Sequence, residues 1–150
     1  MNSQSYVRIL VAVAIGAVVG MGGSLFFYAK GYSYLSNDPT ACANCHVMGD
    51  HLASWGHSSH KAVAACNDCH LPQGLVQKAW AKGMNGLLHG AAFTQGGYPD
   101  PLQIRPGNRE IVEAACRSCH QDIVHAIDRA SAENNPLTCV KCHVEVGHPR

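Results

Sequence analysis

Cys42-Ala43-Asn44-Cys45-His46-Val47-Met48 decides how the chain is read. Two thiols spaced by two residues and followed at once by an imidazole form the attachment signature of a c-type haem. The thiols add across the porphyrin vinyl groups, and the adjacent His reaches the iron. Moving outward, the pattern recurs as Cys66-Asn67-Asp68-Cys69-His70, Cys116-Arg117-Ser118-Cys119-His120 and Cys139-Val140-Lys141-Cys142-His143. The four motifs use all eight cysteines, so none is left for a disulfide.

Paired Cys-x-x-Cys sequences also build structural zinc sites. Zinc geometry, however, does not demand a His directly after each pair, and here every pair has one. Covalent haem is therefore the expected use of these residues. Composition agrees. Aromatic residues are 7% of the 150-residue chain and charged residues 14%. A domain this size normally needs more large apolar side chains to outweigh its conformational entropy. Four porphyrins would supply most of that interior. The net charge of +1, with no basic run, argues against a nucleic-acid partner.

Ile9 to Ala29 is an unbroken uncharged run between Arg8 and Lys30. As a helix it spans roughly 30 Å, the thickness of a bilayer's hydrocarbon core. Phe26-Phe27-Tyr28 fills the place where a signal peptide would carry small residues for cleavage, so an uncleaved anchor is expected. Tyr28, Tyr32 and Tyr34 suit an interfacial belt. Gly16-Ala17-Val18-Val19-Gly20 has a small-xxx-small spacing, equally well explained by the abundance of glycine in membrane helices. Arg8 and Lys30 balance, so charge does not set the orientation. Covalent haem attachment takes place outside the bacterial cytoplasm, which puts the rest of the chain on the periplasmic side of the inner membrane.

Residues 1–30 are thus read as tail and anchor, and 31–150 as a mainly α tetrahaem domain with no convincing strand. Cys42 and Cys66 lie 24 residues apart, and Cys116 and Cys139 lie 23 apart. This suggests two two-haem units, about 42–70 and 116–148. His51 and His125 each follow a motif His by five positions, which either echoes that repeat or is coincidence. Between the units, Leu75 to Ala92 reads as a helix, with Pro72 and Gly74 as start punctuation. Lys78, Lys82, Asn85 and His89 fall on one face of it, and Leu75, Val76, Ala79, Trp80, Met84, Leu87 and Leu88 cover much of the rest. Such a helix lies on a membrane surface, or else packs with its lysines toward water. Thr94 to Asn108 is Gly/Pro-rich and reads as a loop, with Asn108 capping a helix into the third motif. Ser131 to Thr138 reads as a turn.

Four irons have eight axial positions. The motif histidines supply four, and His51, His57, His60, His89, His125, His148, Met48 and Met84 are the candidates for the others. A second His closes an iron for electron transfer, Met raises its potential, and an open position admits a small molecule. From the motif alone, His46 is preferred for the first iron and Met48 is core filler.

Several stretches together resemble the NapC/NirT-type membrane-anchored multihaem cytochrome c family. They are the apolar anchor, Ser33 to Pro39, Cys-x-x-Cys-His-Val-Met, Trp55 to His60, Cys69 to Pro72, and the Lys-bearing helix ending at His89. The resemblance covers nearly the whole chain. It implies a quinol dehydrogenase that oxidises menaquinol near the first haem and passes electrons to a periplasmic multihaem, ammonia-forming nitrite reductase. The alternative is a passive carrier or docking anchor. Carried over residue by residue, Met48 ligates the first iron with His46 turned away, reversing the motif-only preference. His70 serves the second, with a lysine from the partner subunit. His120 and His148 serve the third, and His143 and His60 the fourth. His46 and His125 remain further candidates. Lys78, Lys82, Asn85 and His89 would form the quinol site. Asn85 departs from the family, which carries an acidic residue there. An amide can hydrogen-bond a quinol hydroxyl but cannot take its proton, so the lysines, His89 or water must do so.

Overall fold

The computed structural model describes residues 2–130 and 137–148. The described residues are helical with no strand, as expected, and divide into two compact units at Ser36. The turn read at Ser131 to Thr138 falls mostly outside them.

The first unit is α1, Ser3–Tyr28, whose N-terminus is capped by Asn2 Oδ1 accepting from the Ser5 N–H at 3.0 Å. None of its residues is buried, and it is long and apolar enough to cross a membrane. It ends where Lys30 turns into the left-handed region at φ 52° and a 3-10 turn, Gly31–Leu35, begins. The Phe26 ring sits where a Cβ at residue 31 would be, so only glycine fits there.

The second unit opens with 3-10 turns over Pro39–Asn44 and His46–Met48, the first capped by Asp38 accepting from the Thr40 N–H. Then follow α2 (Gly49–His57), a 3-10 turn (Ser59–Ala62), α3 (Cys66–His70), α4 (Leu75–Gln95), α5 (Pro106–Cys119), α6 (Gln121–Ala130) and α7 (Cys139–Cys142). Gly74 is the N-cap of α4, in line with the punctuation. The helix runs three residues beyond the expected Ala92. It stops only at Gly96, φ 67°, where the Gly97 N–H reaches back to the Ala92 carbonyl. The expectation for Asn108 fails. Pro106 occupies the first turn of α5 and Arg105 is its cap, because Pro needs no hydrogen bond there and fixes a helical φ. Asn108 instead donates from Nδ2 to Asn85 Oδ1 at 3.1 Å.

α3 packs on α5, and α7 on α5. Leu71 and Ala115 lie at the α3–α5 region, and they are the buried hydrophobic residues among those described, 6% and 8% exposed. No described side chain is fully buried. A helical body of this length cannot outweigh its chain entropy on so small a core.

Candidate haem centres and an adjoining polar stripe

On a helix, positions i, i+3 and i+4 share a face. α3 contains a whole motif, so Cys66, Cys69 and His70 share one side. Asp68 Oδ2 accepts from the Ala65 N–H at 2.8 Å and fixes where that helix starts. α5 ends on Cys119 with His120 as its C-cap, and α7 spans Cys139–Cys142 with His143 as its C-cap. The first motif differs. Its two 3-10 turns are broken at Cys45, which is extended (φ −86°, ψ 115°). Beyond the break His46 is exposed and Met48 half-buried.

The motifs meet in chain order. The Cys66 thiol hydrogen-bonds Cys42, which brings the Cys42 pKa down to about 7 and pushes that of Cys66 up. Burial raises the Cys69 thiol, with Asp68 and then Cys119 adding to it. Burial also raises Cys116, with Glu113 and then Cys69 contributing. Cys139 is raised by burial, then by Glu113, and in small part by Cys116. First and second, second and third, and third and fourth motifs are therefore neighbours.

The histidines gather beside these thiols. The His70 and His148 rings are nearly parallel, 9° apart with centroids at 5.9 Å, and His51 lies 4.6 Å from His148. Burial, with His148, His51 and His89 nearby, lowers the His70 pKa to about 4, so its imidazole is neutral and able to ligate. His60 lies 6.1 Å from His120. His57 ends α2 exposed, His143 is exposed, and His125 is exposed on α6 beside Asp122 and Arg129. Trp55 Nε1 donates to the Ala64 carbonyl at 3.1 Å and ties α2 to the approach to α3. The Ser58 hydroxyl is buried without a hydrogen-bond partner.

α4 carries the stripe. Lys78, Lys82, Asn85, Met84 and Leu88 are half-buried. Leu75 (87% exposed), Val76, Trp80 (71%) and Leu87 point outward, and Leu75, Val76, Ala79 and Trp80 line a shallow apolar depression. The helix is thus turned with its apolar side out, and the reading in which its lysines face water is corrected: Lys78 and Lys82 lie on the inward side. Lys82 helps hold down the Cys42 thiol pKa, which places its ammonium near the first motif. His89 is exposed, and partial burial and then Arg105 lower its pKa from the ordinary value.

Two residues escaped the sequence reading, and a third, Asn108, was expected only as a helix cap. Glu113 accepts from the Cys139 and Val140 N–H groups at 2.9 and 3.0 Å. Arg117 pairs with Asp128 at 2.9 Å and donates to the Leu137 carbonyl at 2.8 Å. Asn108 engages the Asn85 carbonyl. Each acts across more than ten residues, and no local pattern marks such partners. Burial pushes the Glu113 carboxyl up, but the Val140 and Cys139 bonds, with Arg117 nearby, outweigh it and hold the pKa below its ordinary value.

Thiol pairs one helical turn apart, a neutral, half-buried imidazole and a nearly absent core fit a covalently held porphyrin. Among the described residues, no three His, Cys, Asp or Glu side chains converge as a tetrahedral zinc site requires. Fold and site together define a small all-helical c-type cytochrome with a candidate N-terminal membrane anchor. The NapC/NirT cytochrome c family, N-terminal region, matches residues 2–95, and the chain belongs to that family. It is 37% identical to the cytochrome c-type protein NrfH of Wolinella succinogenes over 158 residues, covering 99% of this chain and 89% of the relative. It is 31% identical to the cytochrome c nitrite reductase subunit NrfH of Nitratidesulfovibrio vulgaris, covering 90% and 81%. It also resembles a chain in the crystal structure of the cytochrome c nitrite reductase NrfHA complex bound to the HQNO inhibitor. That match has a TM-score of 0.65 at 26% identity and covers 95% of this chain and 91% of that one.

Proposed function

We propose that the chain is a tetrahaem quinol dehydrogenase of the bacterial inner membrane. It oxidises menaquinol on the periplasmic side and delivers electrons to a multihaem, ammonia-forming nitrite reductase. The observation that carries this reading is α4. Lys78, Lys82 and Asn85 are half-buried, with Lys82 near the first motif, and the apolar side of the helix is turned out, the arrangement a lipid-borne substrate needs. The relatives named NrfH and the NrfHA complex support a nitrite reductase as partner.

The haems would be held by Cys42 and Cys45, Cys66 and Cys69, Cys116 and Cys119, and Cys139 and Cys142. Bound there, they supply one-electron redox chemistry. Met48 serves the first iron, supported by its half-buried place and by the extended backbone at Cys45, beyond which His46 is exposed. His70 serves the second, His120 and His148 the third, and His143 and His60 the fourth. On this assignment two of the three close histidine ring pairs join consecutive centres: His70 with His148, and His120 with His60. The neighbouring thiols run in the same order, which favours a relay along the chain. The second iron is completed by a lysine of the partner. A rival has a specific observation behind it. The His148 ring lies 5.9 Å from that of His70, so His148 rather than a lysine of the partner would complete the second iron.

At the quinol site the Lys82 and Lys78 ammonium groups donate to the quinol oxygens and stabilise charge on them as protons leave. The Asn85 side-chain oxygen accepts from Asn108, which leaves its amide N–H groups to donate to substrate. A ring nitrogen of His89 accepts a proton. The outward apolar side of α4 admits substrate from the lipid. Purified protein should reduce its haem α-bands on addition of a menaquinol analogue in detergent. Intact haems that stay oxidised, with partner present, would leave only the passive carrier.

A further inference from the structure

We propose that Glu113 and Arg117 form a clip that sets the fourth haem-attachment motif against the third, with Glu113 the positioning residue for the fourth haem. The proposal rests on the four-haem reading.

α7 has four residues, Cys139–Cys142. A helix that short does not hold itself in water, and its first N–H groups have no partner within the helix. Both are met from α5. One Glu113 oxygen accepts from the Cys139 N–H at 2.9 Å and the other from Val140 at 3.0 Å. Arg117, one turn further along α5, donates from Nη2 to the Leu137 carbonyl at 2.8 Å, two residues before Cys139. Its Nη1 is held at 2.9 Å by Asp128 on α6, which fixes the plane of the fork. Leu137 to Val140 is therefore gripped at three backbone atoms by two side chains four residues apart on one helical face.

Arg117 lies inside the third motif, and Glu113 is three residues ahead of Cys116. The clip is thus built into the helix that presents the third pair of thiols. Its geometry fixes the spacing of the third and fourth centres and the direction in which Cys139 and Cys142 face. With the clip in place, a carboxylate stands between the third and fourth centres, near Cys116 and on the Cys139 N–H, and would favour the oxidised, more positive state of both irons, lowering those two potentials.

The test uses the full-length protein in detergent, with intact mass and a potentiometric titration of the haem bands as readouts. Glu113→Gln keeps the shape but removes the charge, and turns an amide N–H toward one of the two backbone donors. It should carry four haems, with the midpoint potentials of the third and fourth raised and the other two unmoved. Glu113→Ala, which also removes both backbone hydrogen bonds, should raise the same two potentials and lower the melting temperature of the haem-loaded protein. Arg117→Lys, which keeps the charge but loses the fork, should fall between wild type and Glu113→Ala in melting temperature. Four wild-type potentials in Glu113→Gln would overturn the proposal. If Glu113→Ala cannot be recovered, Glu113→Gln decides alone. A wild-type chain lacking haem on Cys139 and Cys142 would overturn the four-haem reading itself, and the clip's role with it.

Discussion

Stripping the outward side of α4 should release it from lipid without unfolding the body. Leu75, Val76, Trp80 and Leu87 are 68–87% exposed, so the folded chain makes little use of them. Exposed substitutions with no partner typically change stability by about 0.5 kcal/mol or less. Full burial of a large apolar side chain is worth about 1.5–3 kcal/mol. A helix half-sunk at the headgroup boundary realises roughly half of that, about 1 kcal/mol per residue. The four together then contribute on the order of 4 kcal/mol, a roughly 1000-fold bias toward the docked state. Leu75→Ser with Val76→Ser, Trp80→Gln and Leu87→Ser should abolish that bias, and Trp80→Gln alone should reduce it several-fold. Hydrogen–deuterium exchange of residues 75–95 in lipid nanodiscs, compared with detergent, reads it directly. Strong lipid-dependent protection in wild type, lost in the fourfold variant at unchanged melting temperature, is the expected pattern. Equal exchange in both proteins would refute the reasoning, as would a fourfold variant whose helical body unfolds.

Met48→Leu should alter the spin state or potential of one haem only, seen by low-temperature absorption or EPR; an unchanged spectrum returns the ligand role to His46. Lys82→Gln should slow haem reduction by a menaquinol analogue about tenfold or more while leaving reduction by dithionite intact, and an unchanged quinol rate would support the passive carrier. Asn85→Asp keeps an acceptor for Asn108 and adds a proton acceptor beside Lys82. Quinol oxidation by that variant should become less dependent on pH near neutrality than in wild type, and an identical pH profile would argue that residue 85 does not face the substrate. For the clip, the Glu113 pKa is lowered on folding by the Val140 and Cys139 bonds. Its stabilisation is complete above the ordinary carboxyl range and is lost as pH falls through the lowered folded value. The potentials of the third and fourth haems should rise across that acid limb in wild type and stay flat in Glu113→Gln.

What was legible in the sequence is what local spacing encodes. The thiol pairs, the uncharged span of α1 and the Gly74 start of α4 follow from covalent chemistry, hydropathy and backbone preference, each readable within a few residues. The orientation of α4 was not legible, because periodicity finds two faces but does not say which is buried when the interior is porphyrin rather than side chains. Asn108 was misplaced as a cap because Pro106 sets the helix start two residues earlier, and its amide is used across 23 residues by Asn85. Glu113 and Arg117 were invisible for the same reason, since their partners lie 20 to 27 residues away. The proximity of His70 to His148 likewise exists only once α3 and the C-terminal segment are brought together.

The intact mass of the mature protein tests the central claim most directly. If the paired thiols carry the missing interior, the mass equals that of the polypeptide plus four covalently bound haems, and each Cys-x-x-Cys-His peptide carries one. A bare polypeptide mass from a folded, membrane-extracted protein would contradict the account.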